Sequence, residues 1–249
     1  MNITNIKTLI FNHSDASIGY VARTSTQGEE FVLVNKYIEV LLKKYSKLKQ
    51  KHAAIFIEPQ LDSGYPDIVI VEYSLRDNLK WNKLRHDLTP LDLKILFYVI
   101  CKKNTSVFEI NNTLGFSQSS IEKSVKLLSD CGLVHLSKTK KYISNVRLNS
   151  FCVINKIISI EAKIDKWSEA IRQASNNIWF ATESYILLKK DVCREETIKK
   201  CSQAGLGIIL LNGKAKTILK SERRKFPVSY ASLQFNEWIL RLICKEELK

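Results

Sequence analysis

Residues 157–174, IISIEAKIDKWSEAIRQA, begin as an apolar run and end in a helical repeat. A strand that passes into an amphipathic helix needs a sheet to join and a sheet face for the helix to cover. That requirement points to an α/β chain. At the join stand Glu161 and Lys163. Two positions apart on a strand, they share one face. They form either an ordinary ion pair or half of a metal-dependent phosphodiesterase site. What else the fold brings to that point decides between the two.

The flanking sequence supplies the rest of the sheet. Residues 53–59 (AAIFIEP) and 67–73 (DIVIVEY) read as strands around the turn LDSGYP, which suits an antiparallel hairpin. Residues 7–11 and 18–23 read as short strands. The run from Glu29 has Phe31, Val34, Ile38, Leu41, Leu42 and Tyr45 at helical spacing, with lysines at its C-terminal end. After residue 150 come a strand (151–163), the helix from Asp165, a strand (184–190), a helix (194–205) and strands at 206–212 and 214–221. An amphipathic helix closes the chain. Trp179 and Phe180 read as core residues.

Between the two halves the character changes. Thr89, Pro90 and Asp92 form the start signal of an amphipathic helix. A short helix over 106–115 follows, then one capped by Ser117 and ending at Gly132. Two strand-like pieces flank the basic turn 137–141. Three helices and a hairpin in about sixty residues match a winged helix-turn-helix plan. The expected organisation is a core over 1–87 and 150–249 with a winged helix domain inserted at 88–149. In such a domain Gln118, Ser119, Glu122 and Lys123 would meet base edges, and Lys138, Lys140 and Lys141 would meet phosphates. Protein contact through the same domain is the other reading.

With that domain set aside, Pro66-Asp67 and Glu161-Ala162-Lys163 fall on neighbouring strands. In this motif and in its order of elements the chain resembles the PD-(D/E)xK nuclease superfamily. The resemblance covers roughly residues 29–73 and 151–212. It implies a restriction-endonuclease-like mixed sheet flanked by helices. It also implies that Asp67 and Glu161 bind a divalent metal, Mg²⁺ or Mn²⁺, while Lys163 positions or activates the attacking water. Some branches add a glutamate from the first core helix and a glutamine from the helix after the lysine. Glu30 or Glu39 is the candidate for the first, with Glu39 carried in the expected metal set, and Gln173 is the candidate for the second.

Composition agrees with a polyanionic substrate. The formal net charge is +14, which favours nucleic acid first and an anionic membrane surface second. No apolar run approaches a transmembrane length. Six scattered cysteines with no CxxC pair argue against a zinc site and suit reduced thiols in the cytoplasm. The expected activity is metal-dependent DNA cleavage, with a homodimer suited to cutting both strands. The alternatives are an inactive DNA-binding regulator or scaffold of the same fold, an RNA-directed nuclease, and a component recruited by a protein partner.

Overall fold

The computed structural model describes residues 8–24, 27–47, 52–75, 81–138, 143–189 and 193–246. The chain divides into two compact units. One comprises Met1–Ser74 and Ile154–Pro227, the other Leu75–Val153 and Val228–Lys249.

The first unit is a seven-stranded mixed sheet flanked by helices. Its elements are β1 (Thr8–Phe11), α1 (Glu29–Ser46), β2 (His52–Ile57) and β3 (Ile68–Tyr73). The second half of the unit adds β7 (Ile154–Lys163), α5 (Trp167–Asn176), β8 (Glu183–Leu188), α6 (Glu195–Gln203), β9 (Gly207–Asn212) and β10 (Lys214–Leu219). The strand order is β1-β2-β3-β7-β8-β9-β10. The hairpin β2–β3 is antiparallel, β3 pairs antiparallel with β7, and β7, β8 and β9 run parallel. Parallel neighbours need crossovers, and α5 and α6 supply them.

Alternation along β7 decides which residues are core. Ile158, Ile160 and Ala162 pack with Leu33, Val34, Ile38 and Leu41 of α1. The intervening residues face the side covered by α5 and α6, where Ala170, Ala174 and Cys201 meet Ile186, Leu188 and Ile208. Register puts Glu161 beside Ile186 and Lys163 beside Leu188, so both belong to that second face. Burial of so many branched side chains makes each large-to-alanine change there cost about 2–5 kcal/mol. Residues 18–23 are not a strand. They make isolated bridges, Asp15 with Tyr20 and Ala22 with Pro59. The buried Tyr20 hydroxyl donates to the carbonyls of Phe11 and Ile57, each at 3.0 Å, which anchors this loop to the end of β2. Trp179 is 39% exposed, whereas Phe180 is fully buried.

The second unit contains α2 (Pro90–Lys102), β4 (Asn104–Thr105), α3 (Val107–Leu114), α4 (Gln118–Asp130), β5 (Val134–Leu136) and β6 (Ile143–Asn145). Capping boxes start α2 at Thr89 with Asp92 and α3 at Ser106 with Glu109, and Ser117 caps α4. The strands form a small antiparallel sheet in the order β4-β6-β5.

The expected boundaries need correction. The terminal helix, α7 (Tyr230–Glu246), groups with this second unit, not with the large sheet. So do residues 81–87, read from sequence as the end of the first core segment. The reason is polar. Arg85, Asn236, Glu237 and Arg241 are all buried. Arg85 holds Glu237 through two hydrogen bonds, Nε to Oε2 at 3.1 Å and Nη2 to Oε1 at 2.5 Å. Arg241 donates to the carbonyls of Arg85 and Leu88. Asn236 accepts from the Val153 amide and donates to the Phe151 carbonyl. Buried polar groups must be answered, and these answer one another.

Candidate active site at the end of the central strands

The antiparallel pairing of β3 with β7 ends with Ile68 opposite Ile160. One step further along that register, Asp67 stands opposite Glu161. The Ala162 amide donates to Asp67 Oδ2 at 2.7 Å, which fixes the aspartate against the strand that carries the glutamate. These residues lie 94 positions apart in the sequence, since 161 − 67 = 94. Asp67 is half-buried, while Glu161 and Lys163 are buried at 4% and 8% exposure. Lys163 Nζ donates to Glu30 Oε2 at 3.0 Å, so the first turn of α1 reaches the site.

Two further residues complete the arrangement, and sequence reasoning missed both. Asn177, just after α5, donates from Nδ2 to Glu161 Oε1 at 2.6 Å. Glu58 follows β2. Its backbone takes a left-handed φ of 45°, and its amide donates to the Asp67 carbonyl at 3.0 Å. A glutamate in that region is strained. The Arg23 amide bonds the Glu58 carbonyl from the other side and helps hold it there. Neither residue falls in the D…ExK pattern, and only a fold could reveal them.

The electrostatics are those of buried acids set close together. Burial, then the charge of Asp67, pushes the Glu161 carboxyl up to about 8, against the pull of Asn177 and Lys163. Burial pushes Asp67 up to about 6, helped by Glu30 and Glu58 and opposed by the Ala162 amide and Lys163. Glu58 is raised by burial, with Arg23 and Lys163 pulling it down. Burial alone would lower Lys163, yet Glu30, Asp67 and Glu161 together hold it above its ordinary range. The lysine is therefore a fixed positive charge, not a proton acceptor, near neutral pH.

The donor set fits a hard divalent cation. Among the described residues no group of three or more His, Cys, Asp or Glu side chains is arranged to hold a metal. Mg²⁺ does not require one, since it is commonly held by one or two carboxylates with water and phosphate completing the shell. Asp67 and Glu161 provide two. Burial first, and for Glu161 the neighbouring Asp67 next, keep both carboxyls protonated to higher pH, and a bound cation would favour their charged forms.

The remaining expected residues fall in several places. Gln173 lines a polar pocket of about 210 Å³ together with Glu161 and Asn177, and its Oε1 is buried without a donor. Glu39 lies elsewhere. It lines a separate cavity of about 310 Å³ with Lys36, Lys43 and Lys189. It is nine residues from Glu30, about two and a half helical turns, which puts it on the opposite side of α1. The helix thus offers Glu30, not Glu39, to the site. In the second unit Gln118, Ser119, Glu122 and Lys123 are exposed on the first turns of α4, and Gln118 Nε2 donates to Glu122 at 2.8 Å. Lys138 is exposed, whereas Lys140 and Lys141 lie outside the described residues. Among the described residues no helix is long and apolar enough to cross a membrane.

No protein-family model, curated protein or solved structure matches the chain.

Proposed function

We propose that this chain is a divalent-metal-dependent DNA endonuclease with a restriction-endonuclease-like core and a winged helix unit that binds or orients duplex DNA. The observation that carries the reading is the meeting of Asp67 with Glu161 on adjacent strands, with the Lys163 ammonium on the same strand face two residues on. Asp67 and Glu161 would hold Mg²⁺, or Mn²⁺ in its place. The ion would supply a bound water of lowered pKa and charge to offset the phosphoryl oxygens. Lys163 contributes a permanent positive charge where negative charge builds on the phosphate. Glu30, 48% exposed on its side chain, holds that ammonium in place until a phosphate competes for it. Asn177 fixes the Glu161 carboxylate by its short hydrogen bond.

The order α2, α3, α4, β5, β6, with β4 as a third short strand, supports the winged helix reading. Gln118, Ser119 and Lys123 on α4 are free of burial and suit a groove, and Lys138 suits a phosphate. The net charge of +14 favours a polyanion. Cutting of both strands would call for a second copy of the chain.

The test is conversion of supercoiled plasmid to nicked and linear forms. Cutting is expected with Mg²⁺ and not with EDTA, and Lys163→Ala and Asp67→Asn should each lower it by about 100-fold or more. Duplex binding, followed by fluorescence anisotropy, should survive Lys163→Ala. Equal residual cutting in Lys163→Ala would assign the activity to another site. Binding without cutting by the unaltered chain would favour the regulator reading, and cutting of RNA alone would move the substrate class.

A further inference from the structure

The polar pocket that opens beside Glu161 is lined by Ser63, Tyr65, Arg172, Asn176 and Asn177, among others. At about 210 Å³ it is smaller than the roughly 300–1,000 Å³ range of ligand pockets, and far too small for a duplex. Arg172 is exposed, and no described carboxylate pairs with it, although Glu169 stands three residues earlier on α5. Tyr65 is 42% exposed. The turn that presents it is tightly made. Leu61 and Gly64 exchange backbone hydrogen bonds of 2.9 and 3.1 Å, and Gly64 has a φ of 123°, open to glycine and costly for other residues. One residue after the aromatic ring and Pro66, the chain reaches Asp67. The turn thus places an aromatic ring on the same pocket as Glu161, with an uncommitted guanidinium also on its lining.

Resting on the nuclease reading, we propose that this pocket is a subsite for one unpaired nucleotide beside the scissile phosphate. Arg172 holds a neighbouring phosphodiester of the cleaved strand, and Tyr65 stacks on its base. Arginine suits phosphate because its planar fork donates two parallel hydrogen bonds. An exposed aromatic ring suits a base because every base has a π-face. A base can reach that ring only when it is out of the duplex stack, and unstacking costs least where the nucleotide is already unpaired. The substrate class that follows is DNA with unpaired nucleotides next to a duplex, such as a tail, flap or bubble, in preference to blunt duplex.

The experiment measures binding of the full chain in EDTA, so that no cleavage intervenes. The probes are a fluorescein-labelled blunt duplex and the same duplex with a short thymidine tail, read by anisotropy over a series of salt concentrations. Tighter binding to the tailed probe is expected. Tyr65→Ala should reduce that preference by about 10-fold, and Tyr65→Phe should keep it. Arg172→Ala should weaken tailed binding and lower the salt slope by about one, and Arg172→Lys should restore the slope. Both side chains are exposed, so neither truncation threatens the fold. Equal affinity for the two probes, or a preference and slope unchanged in both alanine variants, overturns the subsite. Plasmid cutting alongside such a result would leave the nuclease reading standing. A tail preference lost in the variants of a chain that never cuts would sink the nuclease reading and leave the pocket as a binding site for an unpaired nucleotide with no scissile phosphate beside it.

Discussion

Glu237 and Glu161 are both glutamates with almost no exposed surface, 2% and 4%. Their surroundings differ. Glu237, in the second unit, receives two hydrogen bonds from Arg85 and a third from Asn236 at 3.1 Å. Glu161, in the first, receives a neutral amide from Asn177 and is pressed against a second acid, Asp67. A buried acid fully answered by arginine holds a structure together. A buried acid answered by an amide and crowded by another carboxyl is pushed toward its neutral form. The comparison separates an acid answered by its neighbours from one that burial and a second acid hold toward its neutral form.

The largest test of this contrast removes one acid from each region. Glu237→Ala strands the Arg85 guanidinium and should lower the unfolding free energy by about 3–5 kcal/mol in urea titration. Glu161→Gln removes mutual repulsion and, without metal, should leave stability unchanged or raise it. Equal destabilisation by both would break the distinction. The next effect is in pH. Between their ordinary values and about 6 and 8, Asp67 and Glu161 bind protons more tightly in the folded chain than in the unfolded one. Their contribution to stability is therefore present at about pH 4 and lost as pH rises toward about 8. In EDTA, melting temperatures should fall across that window in the unaltered chain and fall less in Asp67→Asn with Glu161→Gln. Mg²⁺ at a hundredfold excess over its Kd should restore about 2.7 kcal/mol near pH 8. A flat profile, or no response to Mg²⁺, would remove the crowded-acid account. The smallest expected effect separates two glutamates of α1. Glu30→Gln releases Lys163 and should change cutting a few-fold, in keeping with a half-exposed ion pair. Glu39→Gln should change nothing. A reversal would place the wrong face of the helix at the site.

The sheet and its acid pair were legible because strand periodicity is short and local. Glu161 and Lys163 share a face by spacing alone, and Pro66-Asp67 marks a strand start. The choice between Glu30 and Glu39 was not legible. Helical spacing orders the residues around α1 but does not say how the helix is turned against the sheet. Glu58 was hidden for a different reason, since nothing in Glu-Pro announces a left-handed φ at a residue that is not glycine. Asn177 sits one position past the end of α5, where an asparagine ordinarily reads as a helix terminator. The placement of α7 depended on side chains that look solvent-facing in sequence. Arg241, Glu237 and Asn236 turned inward because partners from residues 85–88 and 151–153 awaited them.

The interleaving of the two units along the chain also sets the order in which their parts are synthesised. The sheet that joins Asp67 to Glu161 is complete once β10 ends at Leu219, while the second unit still lacks α7, which runs to Glu246. At a translation rate of about 5–20 residues per second, the 27 residues from there to the end of α7 (246 − 219) follow within a few seconds. The strands that carry the acid pair are therefore synthesised before the second unit is complete. A chain cut short after Leu219 would keep every strand of the first unit's sheet, with Asp67 and Glu161 among them, and lack the helix that belongs to the second unit.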